Sequence, residues 1–202
     1  SLLRGRKTML KLCAAEMRQL REKEPHRKLV WADIGGGTGW NIEQMDKFFP
    51  VAEFDQIYLI DLCEPLLKVA RERFKRLGYK NVQALCQNAK DFTLPGLDPE
   101  QKVDLFTCSY SISMIPPFYA VLDRINEFLD PKVGVFGVAD FYVSSSESTS
   151  DQLTLVGGSI MRRCHWLNSW FWRHWFALDH IELHPARRDY LEHKFGTLKC
   201  FN

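Results

Sequence analysis

Acidic side chains follow two apolar segments of the sequence, and the first segment runs into a cluster of glycines. Residues 30–39 read Val-Trp-Ala-Asp-Ile-Gly-Gly-Gly-Thr-Gly, with Asp33 near the end of the apolar part. Residues 58–62 read Tyr-Leu-Ile-Asp-Leu, so that Asp61 lies 22 residues after Gly39. In a Rossmann-like sheet, glycines let a ligand approach the backbone and an acid on the second strand binds ribose hydroxyls. The spacing therefore predicts a nucleoside site, with an ordinary strand-to-helix turn as the alternative.

The arrangement of the glycines indicates which nucleoside derivative is bound. A dinucleotide site has a small third residue in Gly-x-Gly-x-x-Gly/Ala, where this chain has Trp40 or Ile42. No Lys-Ser/Thr pair closes the turn, which excludes a phosphate-binding Walker loop. The pattern is instead Asp-x-Gly-x-Gly-x-Gly, and it resembles motif I of class I S-adenosylmethionine-dependent methyltransferases.

That resemblance gives the surrounding residues expected roles toward S-adenosylmethionine. The cofactor has no phosphate and needs no anion site, so that its methionine part can lie against the bare backbone of the turn. Asp33 would contact the ammonium of the cofactor directly or through water. Asp61 would bind the ribose hydroxyls. Leu62 either covers the adenine or belongs to the core. Asn88 is either a turn residue or an acceptor for the adenine amino group. The expected cofactor-binding residues are Asp33, Gly35, Gly36, Gly37, Thr38, Gly39, Asp61, Leu62, Asn88, Ala89 and Ser109.

Apolar periodicity predicts that strands and helices alternate along the chain. We expect strands at 29–34, 56–61, 82–87, 103–109 and 133–141, and helices at 2–20, 40–49, 65–77 and 118–129. This alternation predicts an α/β fold of the Rossmann-like, three-layer type, with a mostly parallel sheet and helices on both faces. The polar residues Asp33, Asp61, Asn88, Ser109 and Asp140 all fall at the carboxyl ends of strands, where such folds bind ligands.

The chain divides by composition near residue 143. Residues 1–143 are the expected methyltransferase core with its leading helix, and residues 144–202 the C-terminal part of the same domain, beginning with a Ser-rich flexible loop at 144–150. Six of the eleven residues in 166–176 are aromatic, with arginine beside them. Such a segment suits either a lid helix or a membrane interface.

Charge and cysteine content narrow the class of protein. The net charge is +2 and 46% of the residues are hydrophobic, so we do not expect a nucleic-acid partner. The nine Lys and Arg residues in 4–28 predict a solvated helix face, with contact to an anionic surface as the alternative. Six scattered cysteines without Cys-x-x-Cys favour a reducing, cytoplasmic compartment.

His180 and His184 lie in a predicted strand or loop, and no metal is expected. Because the chain starts without Met, we expect a piece of a longer protein.

Three stretches carry a narrower resemblance. Residues 30–43 (VWADIGGGTGWNIE), 109–116 (SYSISMIP) and 184–197 (HPARRDYLEHKFGT) are similar to the methyltransferase part of betaine lipid synthase. The resemblance implies three methyl transfers to the homoserine amine of diacylglyceryl-homoserine, a lipid substrate. It also implies fusion to a module that transfers the aminocarboxypropyl group. The protein would be cytoplasmic, with peripheral attachment to the endoplasmic reticulum membrane as the open alternative.

Under that chemistry the acceptor amine must lose a proton, and either Tyr110 or Asp140 could take it. The hydroxyl residues Ser109, Tyr110, Ser111 and Ser113 form either an acceptor site or a capped strand end. The expected substrate-binding residues are Tyr110, Ser111, Tyr142, Arg187 and Arg188: the aromatic rings would hold methylated cations, and the arginines, unless they form a surface turn, would hold the homoserine carboxylate. A methyltransferase for another lipid or small molecule, or a non-catalytic nucleotide-binding module, remains the alternative.

Overall fold

The computed structural model describes residues 4–116, 118–140 and 186–199. The chain forms two compact units, one of residues 1–112 with 117–140 and one of residues 113–116 with 141–202. The five strands of the described residues all belong to the first unit. The division of the chain after residue 143 stays a prediction.

The described elements alternate as the sequence predicts. In chain order they are α1 (Arg4–Lys23), β1 (Val30–Ile34), α2 (Trp40–Met45), β2 (Gln56–Asp61), α3 (Glu64–Leu77), β3 (Val82–Cys86), β4 (Leu105–Ser109), α4 (Phe118–Phe128), β5 (Val135–Ala139) and α5 (Ala186–Phe195). All neighbouring strands are parallel, in the order β3-β2-β1-β4-β5. The predicted Rossmann-like α/β fold is confirmed.

The central strands β1, β2 and β4 bury side chains on both faces of the sheet, whereas the outer strands β3 and β5 are mostly half-buried. Trp31 and Leu59 enter a core with the apolar side chains of α1, α2 and α3. On the other face, Phe106 contacts Phe92, whose ring stacks on Phe128 of α4 at a centroid distance of 5.3 Å. Helices therefore cover both faces, which gives the three layers expected from the sequence.

The strand order reverses at β1, since β2 leaves it on one side and β4 on the other. Parallel α/β sheets bind ligands in the crevice outside the carboxyl ends of the strands at such a point. Trp31 pairs with Ile57 of β2 and with Leu105 of β4, so the carboxyl ends of these three strands meet at one edge. The fold thus brings the residues after Ile34, Asp61 and Ser109 together.

Helix ends show where sequence signals were sufficient. Helix α3 has Pro65 in its first turn and ends at Gly78, whose φ of 75° lets its N–H close the last turn, as predicted. Helix α5 belongs to the second unit and was not predicted as a helix. It ends before Gly196, which has a φ of 69°. None of the helices in the described part of the chain combines the length and apolar character needed to cross a bilayer.

Candidate cofactor site

The turn after β1 depends on its glycines for steric reasons. Gly35, Gly37 and Gly39 have φ values of 63°, 55° and 75°, in the left-handed region that other residues avoid. A Cβ at Gly39 would overlap the ring of Phe74 on α3, and one at Gly35 would overlap the side chain of Ser111. The turn is therefore pressed against two other elements of the first unit.

Gly36 has a different reason for lacking a side chain. A Cβ there would overlap Leu59 and would lie 2.5 Å from Oδ2 of Asp33. The backbone thus closes directly over the Asp33 carboxylate, which has no exposed surface. This arrangement places an acid immediately beneath the peptide groups that are expected to receive the cofactor.

Asp33 belongs to a buried polar network. Its Oδ1 accepts hydrogen bonds from Thr107 Oγ1 at 2.6 Å and Asn41 Nδ2 at 2.9 Å, while its Oδ2 has no partner among the described residues. Thr107 Oγ1 accepts in turn from Trp31 Nε1. Burial raises the pKa of Asp33 to about 6, and the hydrogen bonds from Thr107 and Asn41 oppose that shift. The carboxylate is covered by the turn in this structure, and its contact with the cofactor's ammonium, direct or through water, stays a prediction.

Asn41 and Arg6 are two of the network members that were absent from the sequence-based site. Asn41 Oδ1 accepts from Arg6, at 2.9 Å from Nη2 and 3.3 Å from Nε, and Asn41 Nδ2 also donates to Ser109 Oγ. The interpretation of the basic run as a solvated face is wrong for Arg6, which is half-buried over the Trp40 ring. The only sequence signal for Asn41 was a polar residue between two apolar ones directly after the glycine turn.

Asp61 connects the ends of β1 and β2. Its Oδ2 accepts from the Gly37 N–H and its Oδ1 from the Cys63 N–H, both at 2.8 Å. The side chain is partly exposed, and each oxygen keeps acceptor capacity for a further donor. Leu62 beside it is 65% exposed, so the alternative that placed it in the core is wrong. An exposed leucine next to a ribose-binding acid is suited to cover an adenine face, which stays a prediction.

The segment after β3 is a turn. Asn88 Oδ1 accepts from the Lys90 N–H at 3.2 Å, and Asn88 O accepts from the Asp91 N–H at the same distance. Ala89 is buried, whereas Asn88 is half-buried. The turn-residue alternative is thus correct for the conformation. The side-chain oxygen of Asn88 keeps one lone pair for the predicted contact with the adenine amino group.

The serines after β4 are satisfied within the protein. Ser109 Oγ exchanges hydrogen bonds with Asn41, and Ser111 Oγ lies 3.0 Å from both Gly35 O and Ser109 O. The capped-strand-end alternative therefore describes both hydroxyls in this structure. Ser111 thus supports the glycine turn through Gly35 O. The role predicted for Ser109 toward the cofactor and that predicted for Ser111 toward the substrate stay predictions.

Tyr110, between these serines, has an unusual backbone. Its φ of 55° makes it the one described non-glycine residue in the left-handed region, which costs roughly 1–2 kcal/mol. Its N–H donates to Ala139 O at 2.8 Å, and this bond fixes the end of β4 to the end of β5. Backbone strain of this kind concentrates at functional sites, where surrounding structure holds it.

The surroundings of Tyr110 argue against one of its two predicted roles. Desolvation raises the pKa of its phenol; Arg6 opposes that shift, and Asp140 adds to it. The phenol therefore stays protonated at neutral pH and is a poor proton acceptor. This observation concerns Tyr110 alone, so the role of Asp140 as the base stays a prediction, as does the role of the Tyr110 ring toward methylated cations.

The remaining sequence-predicted substrate residues belong to the second unit of the chain. Arg187 lies in α5 with 8% of its surface exposed, so the surface-turn alternative is wrong for it. Arg188 lies in the same helix, and its side chain falls outside the described residues, as do Tyr142, the Trp-rich segment, His180 and His184. Within the described ranges, no group of three or more His, Cys, Asp or Glu is placed to hold a metal ion.

The residues at the carboxyl edge fit S-adenosylmethionine on two structural grounds. A buried carboxylate oxygen without a partner, Asp33 Oδ2, lies under backbone that is free of side chains. Above the turn, a Cβ at Gly37 would meet only Leu66 at 3.7 Å and Asp61 Oδ2 at 4.0 Å, which are ordinary contacts. The turn would hold the methionine part of the cofactor, and Asp61 would hold its ribose.

A parallel α/β sheet with this turn and this second-strand acid defines a nucleoside-binding domain of the methyltransferase type. Residues 32–132 match the family described as "Methyltransferase domain", which is half of the chain. The chain therefore belongs to the methyltransferase domain family, and S-adenosyl-L-methionine is its cofactor.

Comparison with individual proteins supports the fold. A protein-L-isoaspartate O-methyltransferase of Methanosarcina mazei is 34% identical over 86 residues, which are 43% of this chain and 32% of that protein. The chain thus spans about a third of the length of this relative. The YcgJ protein of Bacillus subtilis superposes with a TM-score of 0.59 at 16% identity, over 88% of this chain and 65% of that one. A methyltransferase of Bacillus halodurans superposes with a TM-score of 0.58 at 16% identity, over 90% of this chain and 68% of that one.

Proposed function

We propose that this methyltransferase transfers methyl groups to the nitrogen of an amino-acid lipid headgroup, with diacylglyceryl-homoserine as the acceptor and its trimethylated betaine as the product. The observation that carries the proposal is the segment Ser109–Pro116, which resembles betaine lipid synthase and has its strained residue, Tyr110, at the carboxyl edge of β4. In this fold the acceptor approaches that edge from beside the cofactor.

Each group at this edge supports a step of amine methylation. S-adenosylmethionine, when bound, supplies an electrophilic methyl carbon on a sulfonium. The glycine turn and Asp61 fix its position, and positioning of reactants is worth about 7–11 kcal/mol. Asp140 lies near enough to Tyr110 to raise the pKa of its phenol and is the candidate for taking the amine proton. The partly exposed ring of Tyr110 suits the methylated ammonium groups that accumulate.

We further propose that the acceptor is presented by a membrane surface and that, in the longer protein, a fused module makes the homoserine lipid. The aromatic segment at 166–176, with arginine beside its rings, supports such a contact in composition. The proposal places the catalytic unit in the cytoplasm or on the cytoplasmic face of the endoplasmic reticulum.

A different acceptor is favoured by one observation, the likeness to a protein-L-isoaspartate O-methyltransferase. That relative methylates an oxygen, and a carboxylate acceptor needs no proton acceptor. The two functions therefore differ in their dependence on Asp140.

The test uses radiolabelled methyl donor with two acceptors, diacylglyceryl-homoserine in mixed micelles and an isoaspartyl peptide. We expect mono-, di- and trimethylated lipid in succession, no transfer to the peptide, and at least tenfold slower transfer by Asp140→Asn. The fully trimethylated lipid serves as the blank acceptor. Transfer to the peptide alone, or a rate insensitive to Asp140→Asn with the lipid, would contradict the N-methyltransferase assignment.

A further inference from the structure

We propose that Arg6 binds the carboxylate at the amino-acid end of S-adenosylmethionine. The inference rests on the methyl donor assigned above and extends it to a residue of α1. Arg6 lies 26 residues before the part of the chain that matches the methyltransferase family, so family membership assigns it no role.

The guanidinium of Arg6 is held in a fixed orientation. Nη2 and Nε both donate to Asn41 Oδ1, at 2.9 and 3.3 Å. Its Cζ lies 4.4 Å from the ring centroid of Trp40 and 5.8 Å from that of Tyr110. An arginine that stacks on one aromatic ring and donates to one amide oxygen loses little further entropy when it binds a ligand.

The same guanidinium has donors to spare and forms no ion pair within the described part of the chain. It has five N–H groups, and the two contacts above use one oxygen atom of a neutral amide. Desolvation lowers its pKa, with Asp33 and Tyr110 opposing the shift. A half-buried cation that is orientated but unpaired is suited to a bidentate contact with a carboxylate.

The neighbouring charge indicates which carboxylate. Asn41 links Arg6 to Asp33, because its Oδ1 accepts from Arg6 while its Nδ2 donates to Asp33 Oδ1. A cation and an anion thus lie at the two ends of one amide, and Asp33 Oδ2 under the glycine turn has no hydrogen-bond partner. An α-amino acid carries the complementary pair, a carboxylate and an ammonium. The methionine part of the donor, which the turn receives, is such a group.

The test is calorimetric binding of two ligands to the full chain. One ligand is S-adenosylhomocysteine, and the other is its analogue 5′-deoxy-5′-(3-aminopropylthio)adenosine, which lacks only the carboxylate. We expect Arg6→Met to weaken S-adenosylhomocysteine binding at least tenfold and to leave the affinity for the analogue within twofold or improved. Arg6→Lys, which keeps the charge but not the planar fork, should give an intermediate loss.

Lys7→Met is the matched control, since it removes one positive charge from the exposed neighbour of Arg6 on α1. It should leave both affinities within twofold. Thermal unfolding checks that each variant is folded. If Arg6→Met does not fold, the comparison of the two ligands is made with Arg6→Lys.

If Arg6→Met weakened the binding of both ligands equally, or of neither, the proposed role of Arg6 would be overturned. Binding of S-adenosylhomocysteine by the wild type would in that case still support the assignment of the methyl donor. Failure of the wild-type chain to bind S-adenosylhomocysteine would overturn both. A loss that depends on the carboxylate supports the proposal.

Discussion

At the scale of single residues, Asp33 is a buried carboxylate that lowers the stability of the fold but lies beneath the turn expected to bind the cofactor. It is fully buried, and its pKa of about 6 lies above the ordinary value of 3.8, so ionisation is more difficult in the folded than in the unfolded chain. The stabilising contribution of this group is complete below pH 3.8 and is lost as the pH rises through about 6. The unliganded protein at neutral pH therefore maintains a destabilising carboxylate beneath its glycine turn.

Asp33→Asn should remove that pH dependence. Relative to the wild type, we expect the variant to gain about 1.5 kcal/mol in free energy of unfolding between pH 5 and pH 7.5, as a pKa shift of this size implies. Urea denaturation at the two pH values measures the difference. Asp55→Asn, an exposed acid before β2, is the control and should show no such gain. An equal pH profile for wild type and Asp33→Asn would contradict the buried, perturbed carboxylate.

The residue scale also shows what the sequence could and could not reveal. Asp33 and Asp61 were predictable because they end apolar runs at the spacing of neighbouring strands. Arg6 and Asn41 were not, because their roles depend on how α1 lies across α2 and the sheet. A basic residue in a basic run looks solvated, and only the packed position of α1 turns Arg6 toward the site.

At the scale of elements, strand and helix positions followed from periodicity, while their ends depended on tertiary contacts. Strand β4 was predicted from Val103 but begins at Leu105, because Val103 forms only an isolated bridge with Leu129. Helix α2 was predicted to reach Phe49 and ends at Met45. Its last residues form turns in which Val51 N–H donates to Asp46, a local contact that hydrophobic spacing does not encode.

The contact between the glycine turn and α3 gives a second prediction. Gly39 and Gly78 both have a φ of 75°, but a Cβ at Gly39 would overlap the Phe74 ring, whereas nothing lies within 4 Å of one at Gly78. Gly78→Ala should lower the free energy of unfolding by roughly 1 kcal/mol, the cost of a left-handed backbone. Gly39→Ala should lower it by about 2–4 kcal/mol, since overlap with a packed core adds to that cost.

Chemical denaturation of the two alanine variants measures this difference directly. The double variant Gly39→Ala with Phe74→Leu should recover part of the excess, because the smaller side chain leaves room for the new methyl group. Equal losses at the two glycines would show that the turn does not press on α3 as described.

At the scale of the whole molecule, the described first unit contains the residues expected to bind the cofactor, whereas the predicted membrane contact falls in another part of the chain. The Trp-rich segment at 166–176 lies outside the described residues, and its role as a lid or a membrane contact stays a prediction. The net charge of +2 gives the chain little general attraction to anionic surfaces. Any membrane affinity should therefore come from this segment and depend on its aromatic rings.

Flotation of the full chain with vesicles containing anionic lipid measures that affinity. We expect the wild type to float and a variant with Trp170, Trp172 and Trp175 changed to alanine to remain at the bottom of the gradient. Tyr119→Ala, which removes an exposed ring from α4, should float like the wild type. No flotation of the wild type would favour the lid and remove the membrane contact from the proposed function.

The most direct test of the central claim, that the carboxyl edge of β1 and β2 binds the methyl donor, is titration calorimetry with S-adenosylhomocysteine. Asp61 accepts a hydrogen bond from the Gly37 N–H and is expected to bind the ribose, while Asp55 lies just before the opposite end of β2. We predict that the wild type and Asp55→Ala bind alike and that Asp61→Ala binds at least tenfold more weakly, a loss of about 1.4 kcal/mol. Unchanged affinity in Asp61→Ala, or no binding by the wild type, would contradict the account.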